Sequence, residues 1–413
     1  MTPDLSDLTR TFARIGILSF GGPAAQIALM HRVLVDERKW LTEKDYLSAL
    51  SFCMLLPGPE AMQLATWAGW RLHGTVGGLI AGTLFVLPGA MVVLALSMAY
   101  AAWGALPMMQ ALLLGVQAAV IAIVIEALIR VAHKALRGRT AYMIAGLAFL
   151  GLFFLNLPFP VIILAAGLWG MLTARRNTSP VPQVNAPHTL QTLIFWLAVW
   201  WIPLGLLWLS GGILFDLAWF FSKLAVVTFG GAYAVLAWMT QEVILVQGWL
   251  TTSQMMAGLG LAETTPGPLI LVTEFVGYMA GHGAGGWTLG VAAAGVTLWM
   301  TFVPCFLWIF VAAPYLARIT ADPRLSAALQ AIMAAVVGVI ANLSLWFALH
   351  LLFRTTTINS IGPVRLIIPD PASLDLTASG LAILSAVLLL RFHRPLWQVL
   401  SASSLLSVAI SAA

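Results

Sequence analysis

The chain is a succession of long apolar stretches separated by short polar ones, and apolar runs of 15 to 29 residues cover most of its 413 positions. Runs of this length satisfy their backbone hydrogen bonds as helices in a bilayer, so the pattern predicts an all-α polytopic membrane protein. Several stretches are interrupted. Around Pro57-Gly58-Pro59 the apolar flanks Tyr46 to Leu56 and Glu60 to Trp70 are 11 residues each. Each would rise about 16 Å, short of a hydrocarbon core of about 30 Å. The same pattern surrounds Phe20-Gly21-Gly22-Pro23, with Phe12 to Phe20 before it and Ala24 to Val35 after it. Glycine permits the positive φ that ends one helix, and proline lacks the amide proton that the first turn of the next does not need. These positions are stop-and-restart signals.

The interruptions recur. A shift of 209 residues lays Phe20-Gly21-Gly22 on Phe229-Gly230-Gly231, Trp40-Leu41-Thr42 on Trp249-Leu250-Thr251, and Pro57-Gly58-Pro59 on Pro266-Gly267-Pro268. After a small insertion the shift becomes 216 and pairs Pro88 with Pro304. Two homologous halves follow, residues 1–175 and 211–413. Between them lie a polar linker and a connecting transmembrane helix, residues 176–210, whose apolar span runs from about Leu193 to Leu209.

Charge sets the orientation of the halves. The loop at 130–139 holds Arg130, Lys134, Arg137 and Arg139, whereas its counterpart at 354–375 balances Arg354 and Arg365 with Asp370 and Asp375. The uncharged loop at 101–107 answers to one with Arg318 and Arg324, and the uncharged turn at 156–160 answers to Arg391-Phe392-His393-Arg394. Cytoplasmic loops collect Lys and Arg, so each comparison reverses and the halves read as inverted-topology repeats. If the segment 46–70 doubles back as a re-entrant hairpin, the loop with Arg32, Arg38, Lys39 and Lys44 is cytoplasmic, with nine full crossings and four re-entrant elements. If that segment crosses once with a kink, the loop is outside and there are thirteen crossings.

Composition agrees with this class: 61% of residues are apolar and 8% charged, against about 25% charged in soluble domains. The formal charge of +5 encodes topology and gives no argument for nucleic acid. The acidic start without a small-residue cleavage site predicts no removable signal peptide. Cys53 and Cys305 lie in apolar segments, where neither a disulfide framework nor a thiolate cluster is expected, and the histidines show no metal-ligand spacing. No metal or other cofactor is expected, and no nucleophile or phosphate-loop motif supports an enzyme.

Irregular backbone at membrane depth is tolerated only inside protein or beside a watery cavity, so the interruptions mark a site. Each restarted helix offers free N–H groups and about half a positive charge. Four such ends, carrying Gly21, Gly22, Gly58, Gly230, Gly231 and Gly267, suit a dianion. Arg14 and Lys223 are equivalent, each seven residues before the first glycine of its break, and an intramembrane basic pair is a candidate for attracting an anion. Snorkelling to the interface is the other reading. Ser19, Thr228 and Thr265 offer hydroxyl donors, although such groups often bond their own helix. Gln63 lies one turn after Pro59. Glu60 and Glu263 are candidates for trading a proton with the substrate, or else serve as a capping charge and a salt bridge. Glu126 precedes Arg130 by one turn, as in an ordinary surface pair.

The Phe20-Gly21-Gly22-Pro23 element with Gln26, the Trp40-Leu41-Thr42 element, Leu56-Pro57-Gly58-Pro59 followed by Glu60-Ala61-Met62-Gln63-Leu64, and their echoes in the second half resemble the long-chain chromate ion transporters of bacteria. The resemblance covers nearly the whole chain. It implies a multi-pass inner-membrane carrier that exports chromate and confers resistance, with the N-terminus cytoplasmic, working by alternating access in exchange for protons or another anion. The second half departs from the pattern at Ala232, where the first has Pro23. Chromate and sulfate share a tetrahedral shape, so sulfate uptake or exchange is the alternative. An anion channel and a membrane-bound enzyme are disfavoured. The expected partners are the oxyanion and the lipid bilayer, with room for a homodimer.

Overall fold

The computed structural model describes residues 3–174, 188–229, 232–362 and 364–412. The expected linker up to residue 187, and Gly230 and Gly231, lie outside the described residues. The first half forms α1 (Leu5–Leu18), α2 (Gly22–His31), α3 (Glu43–Cys53), α4 (Glu60–Trp103), α5 (Pro107–Ala135), α6 (Arg139–Phe153) and α7 (Phe159–Thr173). The connecting helix is α8 (Thr189–Ser210). The second half forms α9 (Ile213–Val227), α10 (Ala232–Gln241), α11 (Thr252–Thr264), α12 (Val272–Ala312), α13 (Leu316–Ala321), α14 (Pro323–Leu352), α15 (Leu376–Ala386) and α16 (Leu396–Ala412). Among the described residues, five stretches are long and apolar enough to cross a membrane: Glu60–Trp103, Pro107–Ala135, Thr189–Ser210, Leu269–Ala321 and Pro323–Leu352. The chain is an all-α polytopic membrane protein.

Irregularities fall at matched places in the two halves. A π-helical turn follows α2 at Arg32–Glu37 and α10 at Glu242–Val246. Lys39 and Gly248, 209 residues apart, both have positive φ, 53° and 63°. Both long helices break in the same way, α4 at His73-Gly74 and α12 at Gly285-Gly286. At these breaks the chain folds back on itself. A Cβ on Gly69 would lie 2.2 Å from the Gly77 carbonyl oxygen, and one on Gly82 would lie 2.3 Å from Thr66 Oγ1. Residues 60–72 and 75–103 therefore run antiparallel in close contact, which only small residues permit. In α12 the same closeness places Gly277 against Thr297 and Gly281 against Ala293.

Contacts divide the chain into two compact units, each drawing on both halves. One comprises Met1–Met98, Ala174–Ala232 and Thr265–Ser326. In it α12 packs on α8 and α9, with Trp200 Nε1 donating to Ser222 Oγ at 3.2 Å and Trp299 Nε1 to the Val199 carbonyl at 3.1 Å. The other comprises Ala99–Thr173, Tyr233–Thr264 and Ala327–Ala413. Its α5 packs on α11, α15 and α16. Gln117 Nε2 ties α5 to the start of α11 through Ser253 Oγ at 2.7 Å, and Gly115 leaves room for the backbone of Ser403 and Ser404.

The segment 354–375, read from sequence as a loop, contains a β-hairpin. Strands β1 (Thr356–Ile361) and β2 (Val364–Pro369) pair antiparallel from Thr356↔Pro369 to Ile361↔Val364. β-Branched residues favour the strands, and Gly362 takes the positive φ of the turn. Beyond it Asp375 caps α15, accepting from the Ala378 N–H at 3.0 Å and from Arg354 Nη2 at 2.9 Å. The Ala378 amide first, and Arg354 after it, hold this carboxyl below the usual range. A depressed folded pKa contributes stability above the ordinary carboxylate range and loses it as pH falls through the depressed value. Asp375→Ala is accordingly expected to cost about 1 kcal/mol locally. Hydrogen exchange in the first turn of α15 should rise in the variant at neutral pH, and the difference from wild type should vanish in acid.

Candidate functional site

Each Pro-Gly-Pro interruption is tied to the broken first helix of the other half by a reciprocal exchange of backbone hydrogen bonds. Gly58, at φ 126°, donates its N–H to the Thr228 carbonyl at 2.7 Å. Gly267, at φ 87°, donates its N–H to the Ser19 carbonyl at 2.9 Å. Under the 209-residue shift these are the same bond with the halves exchanged. Each Pro-Gly-Pro loop thus caps the broken end of the other half's first helix, whose last carbonyls lack an intrahelical partner. The positive φ explains glycine at both positions.

Close packing fixes the loops. A Cβ on Gly58 would lie 2.7 Å from Gln63 Nε2 and 2.9 Å from Cys305 Sγ, and one on Gly89 would lie 2.1 Å from the Pro266 carbonyl oxygen. Gly89 and Cys305 are themselves equivalent, each following the paired Pro88 or Pro304. Neither is expected at the site from sequence, although the paired prolines before them are the available signal.

Two buried carboxamides break the symmetry. Gln26 Nε2 donates to the Gly267 carbonyl at 2.6 Å and the Ser19 carbonyl at 3.3 Å, and Gln63 Nε2 donates to the Pro57 carbonyl at 2.6 Å. Carbonyl acceptors fix both amide orientations. The Oε1 atom of each is buried without a hydrogen-bond partner. The second half has Val235 and Val272 at these places. Gln26 entered the sequence reading only through the family pattern, yet it bridges the two halves.

Of the residues expected at the site, Ser19, Gly58, Gln63, Thr228 and Gly267 are held together in this cluster. The hydroxyls of Ser19 and Thr228 donate to their own helices, to the Ile15 and Leu224 carbonyls, each at 2.6 Å. Thr265 is buried next to the Pro-Gly-Pro loop. Gly21 and Gly22, at φ 87° and 77°, start α2 with Pro23 in its first turn and no side-chain cap. Open space lies where a side chain on Gly22 would be. The α2 tip is therefore the cluster's accessible end, whereas the Gly58 and Gly267 amides are already engaged.

Arg14 and Lys223 are both exposed on their helices. Lys223 Nζ sits 5.6 Å from the Trp219 ring centroid, a cation–π arrangement. Glu60 opens α4 and is half-buried. Glu263 belongs to the other compact unit, where it is buried and accepts a hydrogen bond from Tyr233 Oη at 2.5 Å. Tyr233 stands opposite Ala24 in the first half, so sequence symmetry gave no sign of this pair. In the same unit Glu126 accepts from Arg130 Nη2 at 2.5 Å, the surface pair expected.

Broken helices stitched tip to tip inside a mostly apolar helical chain define a multi-pass membrane protein built around interrupted segments. Comparison with known proteins supplies the particular lineage. The family model described as chromate transporter matches residues 6–171 and again 215–408, and the chain belongs to that family. A chromate transport protein of Pseudomonas aeruginosa is 32% identical over 355 residues, covering 80% of this chain and 77% of that one. A probable chromate transport protein of Synechococcus elongatus is 30% identical over 348 residues, 82% and 83% of the two chains. The uncharacterized transporter YwrA of Bacillus subtilis is 26% identical over 168 residues, 94% of its own length but 40% of this chain. No solved structure matches the chain.

Proposed function

We propose that this protein is an inner-membrane carrier that exports chromate by alternating access, with the interrupted helices as its oxyanion site. The carrying observation is the reciprocal pair of bonds, Gly58 to Thr228 and Gly267 to Ser19, which ties the Pro-Gly-Pro loop of each half to the broken first helix of the other. The α2 tip at Gly21 and Gly22 donates backbone N–H groups to the oxyanion; Gly230 and Gly231, its sequence equivalents, lie outside the described residues. The Pro-Gly-Pro loops hold the broken helices in place. Arg14 and Lys223 add positive field along the approach. Chromate is the substrate because the named relatives that match most of the chain are chromate transport proteins.

Re-entrant topology has its own support. Arg38 Nη1 pairs with Asp7 Oδ2 at 3.2 Å, and His73 Nε2 meets the Pro3 carbonyl at 2.6 Å. The start of α1, the end of the excursion through α2, and the end of the excursion through α3 and residues 60–72 thus lie side by side. Excursions that return to their starting level are hairpins, which favours nine crossings, a cytoplasmic N-terminus and inverted halves. A cysteine placed at Lys39 is expected to react with thiol reagents from the cytoplasmic side, and labelling from the periplasm would support thirteen crossings instead.

The deciding experiment is uptake of labelled chromate and sulfate into everted membrane vesicles. Saturable accumulation of chromate supports export. Sulfate carried in the opposite orientation, with no chromate accumulation, would replace this reading with oxyanion uptake.

A further inference from the structure

After the Pro266-Gly267-Pro268 loop the chain makes a 3-10 turn, Leu269–Leu271, before α12 begins, so the first α-helical turn of α12 holds Glu274. In the first half α4 begins directly with Glu60. At the 209-residue shift Glu60 pairs with Leu269 and Glu274 with Ala65, so the acid of the second half lies further along its restarted helix. Glu274 is 1% exposed, and its Oε2 has no hydrogen-bond partner. The charged residues of α9, which packs against α12, are Asp216 and Lys223, and Lys223 lies over Trp219. The α8 helix has no charged residue, the only other titratable side chains on the Glu274 arm of α12 are Tyr278 and His282, whose rings stack on each other, and the return arm folded against it carries only Cys305. Among the described residues no ion pair joins Glu274 to any of these groups. Glu263, by contrast, is bonded to Tyr233.

We propose that Glu274 is the protonation site of the transport cycle, and that its proton travels with the oxyanion rather than against it. This rests on the interrupted helices being the oxyanion site. The rise of one 3-10 turn and one α turn puts Glu274 roughly 10 Å from the Gly267 loop. That loop is bonded to Ser19, two residues before the α2 tip where the oxyanion is placed, and like charges at a separation of this order repel strongly in a poorly polarisable interior. An oxyanion therefore binds well only when Glu274 holds its proton, and a bound oxyanion in turn retains that proton. The two effects are equal by linkage, about tenfold or more each way.

Partners that favour each other's binding cross together, whereas exchange requires partners that exclude each other. An acid in a cation carrier gives exchange, but in an anion carrier it gives co-transport. Of the two counter-flows admitted for this chain, a second anion is consistent with Glu274 and a proton handled by that acid is not.

The test uses the full chain in proteoliposomes with a pH-sensitive dye inside, membrane potential clamped, and an inward chromate gradient at alkaline pH, where chromate is fully ionised. The lumen is expected to acidify in step with chromate entry, and flux should fall up to tenfold per pH unit on the alkaline side. In Glu274→Gln, which fixes the neutral form, the acidification and the pH dependence should both disappear while chromate still enters. Lumenal alkalinisation in wild type, or proton movement that persists in Glu274→Gln, would overturn the proposal. If the glutamine variant does not fold, the sign of the wild-type pH change decides alone. Absence of chromate flux in wild type would refute the transport reading itself, a separate outcome.

Discussion

Gly89→Ala is expected to abolish transport and to lower the amount of folded protein in the membrane by more than tenfold. The methyl group would lie 2.1 Å from the Pro266 carbonyl oxygen, and the obstacle is backbone, not the end of a flexible side chain. Relief requires the loop at 266–268 or the long arm of α4 to move, and moving the loop breaks the Gly267 bond to Ser19. Overpacking of this kind costs about 3 kcal/mol, near the top of its usual range. Membrane abundance measured with a fluorescent fusion, beside chromate flux, checks the prediction. Gly146→Ala is a suitable control, because nothing lies within 4 Å of the added methyl. Wild-type abundance and flux in Gly89→Ala would mean that the loop is not held as described.

The second large effect belongs to Gln26. Its carboxamide is buried and donates to carbonyls from both halves. Gln26→Val leaves the Gly267 carbonyl without that donor, at an expected loss of roughly 2 kcal/mol of stability. Transport should fall at least tenfold. Valine occupies the equivalent position 235 in the second half, so its shape suits this kind of helix. Thermal unfolding in detergent and flux in vesicles should therefore decline together. A variant that unfolds like wild type and transports normally would show that the bridge is dispensable.

Much of the architecture was legible in sequence because helix breaks have a local chemistry. Glycine and proline act through their own backbone geometry, so Phe20-Gly21-Gly22-Pro23 and Pro57-Gly58-Pro59 announced their ends without reference to distant partners. The pairing of those ends was not legible. Gly58 meeting Thr228 joins residues 170 positions apart through main-chain atoms, which leave no mark on side-chain identity. The polar step Arg71-Leu72-His73 and the glycine-rich stretch around His282 mark the fold-backs at His73-Gly74 and Gly285-Gly286, but only the small residues beside them hint that two arms touch. Glu274 is visible in the sequence as an acid beyond the second Pro-Gly-Pro that breaks the repeat symmetry, but its burial follows from tertiary packing. Arg14 and Lys223 were conspicuous as charges in apolar segments, yet their exposure on the helix surface is a matter of tertiary packing.

The crossed bonds at the centre also bear on how the molecule could change shape. Since each is the image of the other, a rearrangement that gives each half the conformation of its twin leaves the same donors facing the same acceptors. The junction then acts as a fulcrum whose own energy is level at both ends of the swing. Bias between the two end states must come from what the halves do not share, and the nearest such features are the amides of Gln26 and Gln63, present on one side alone.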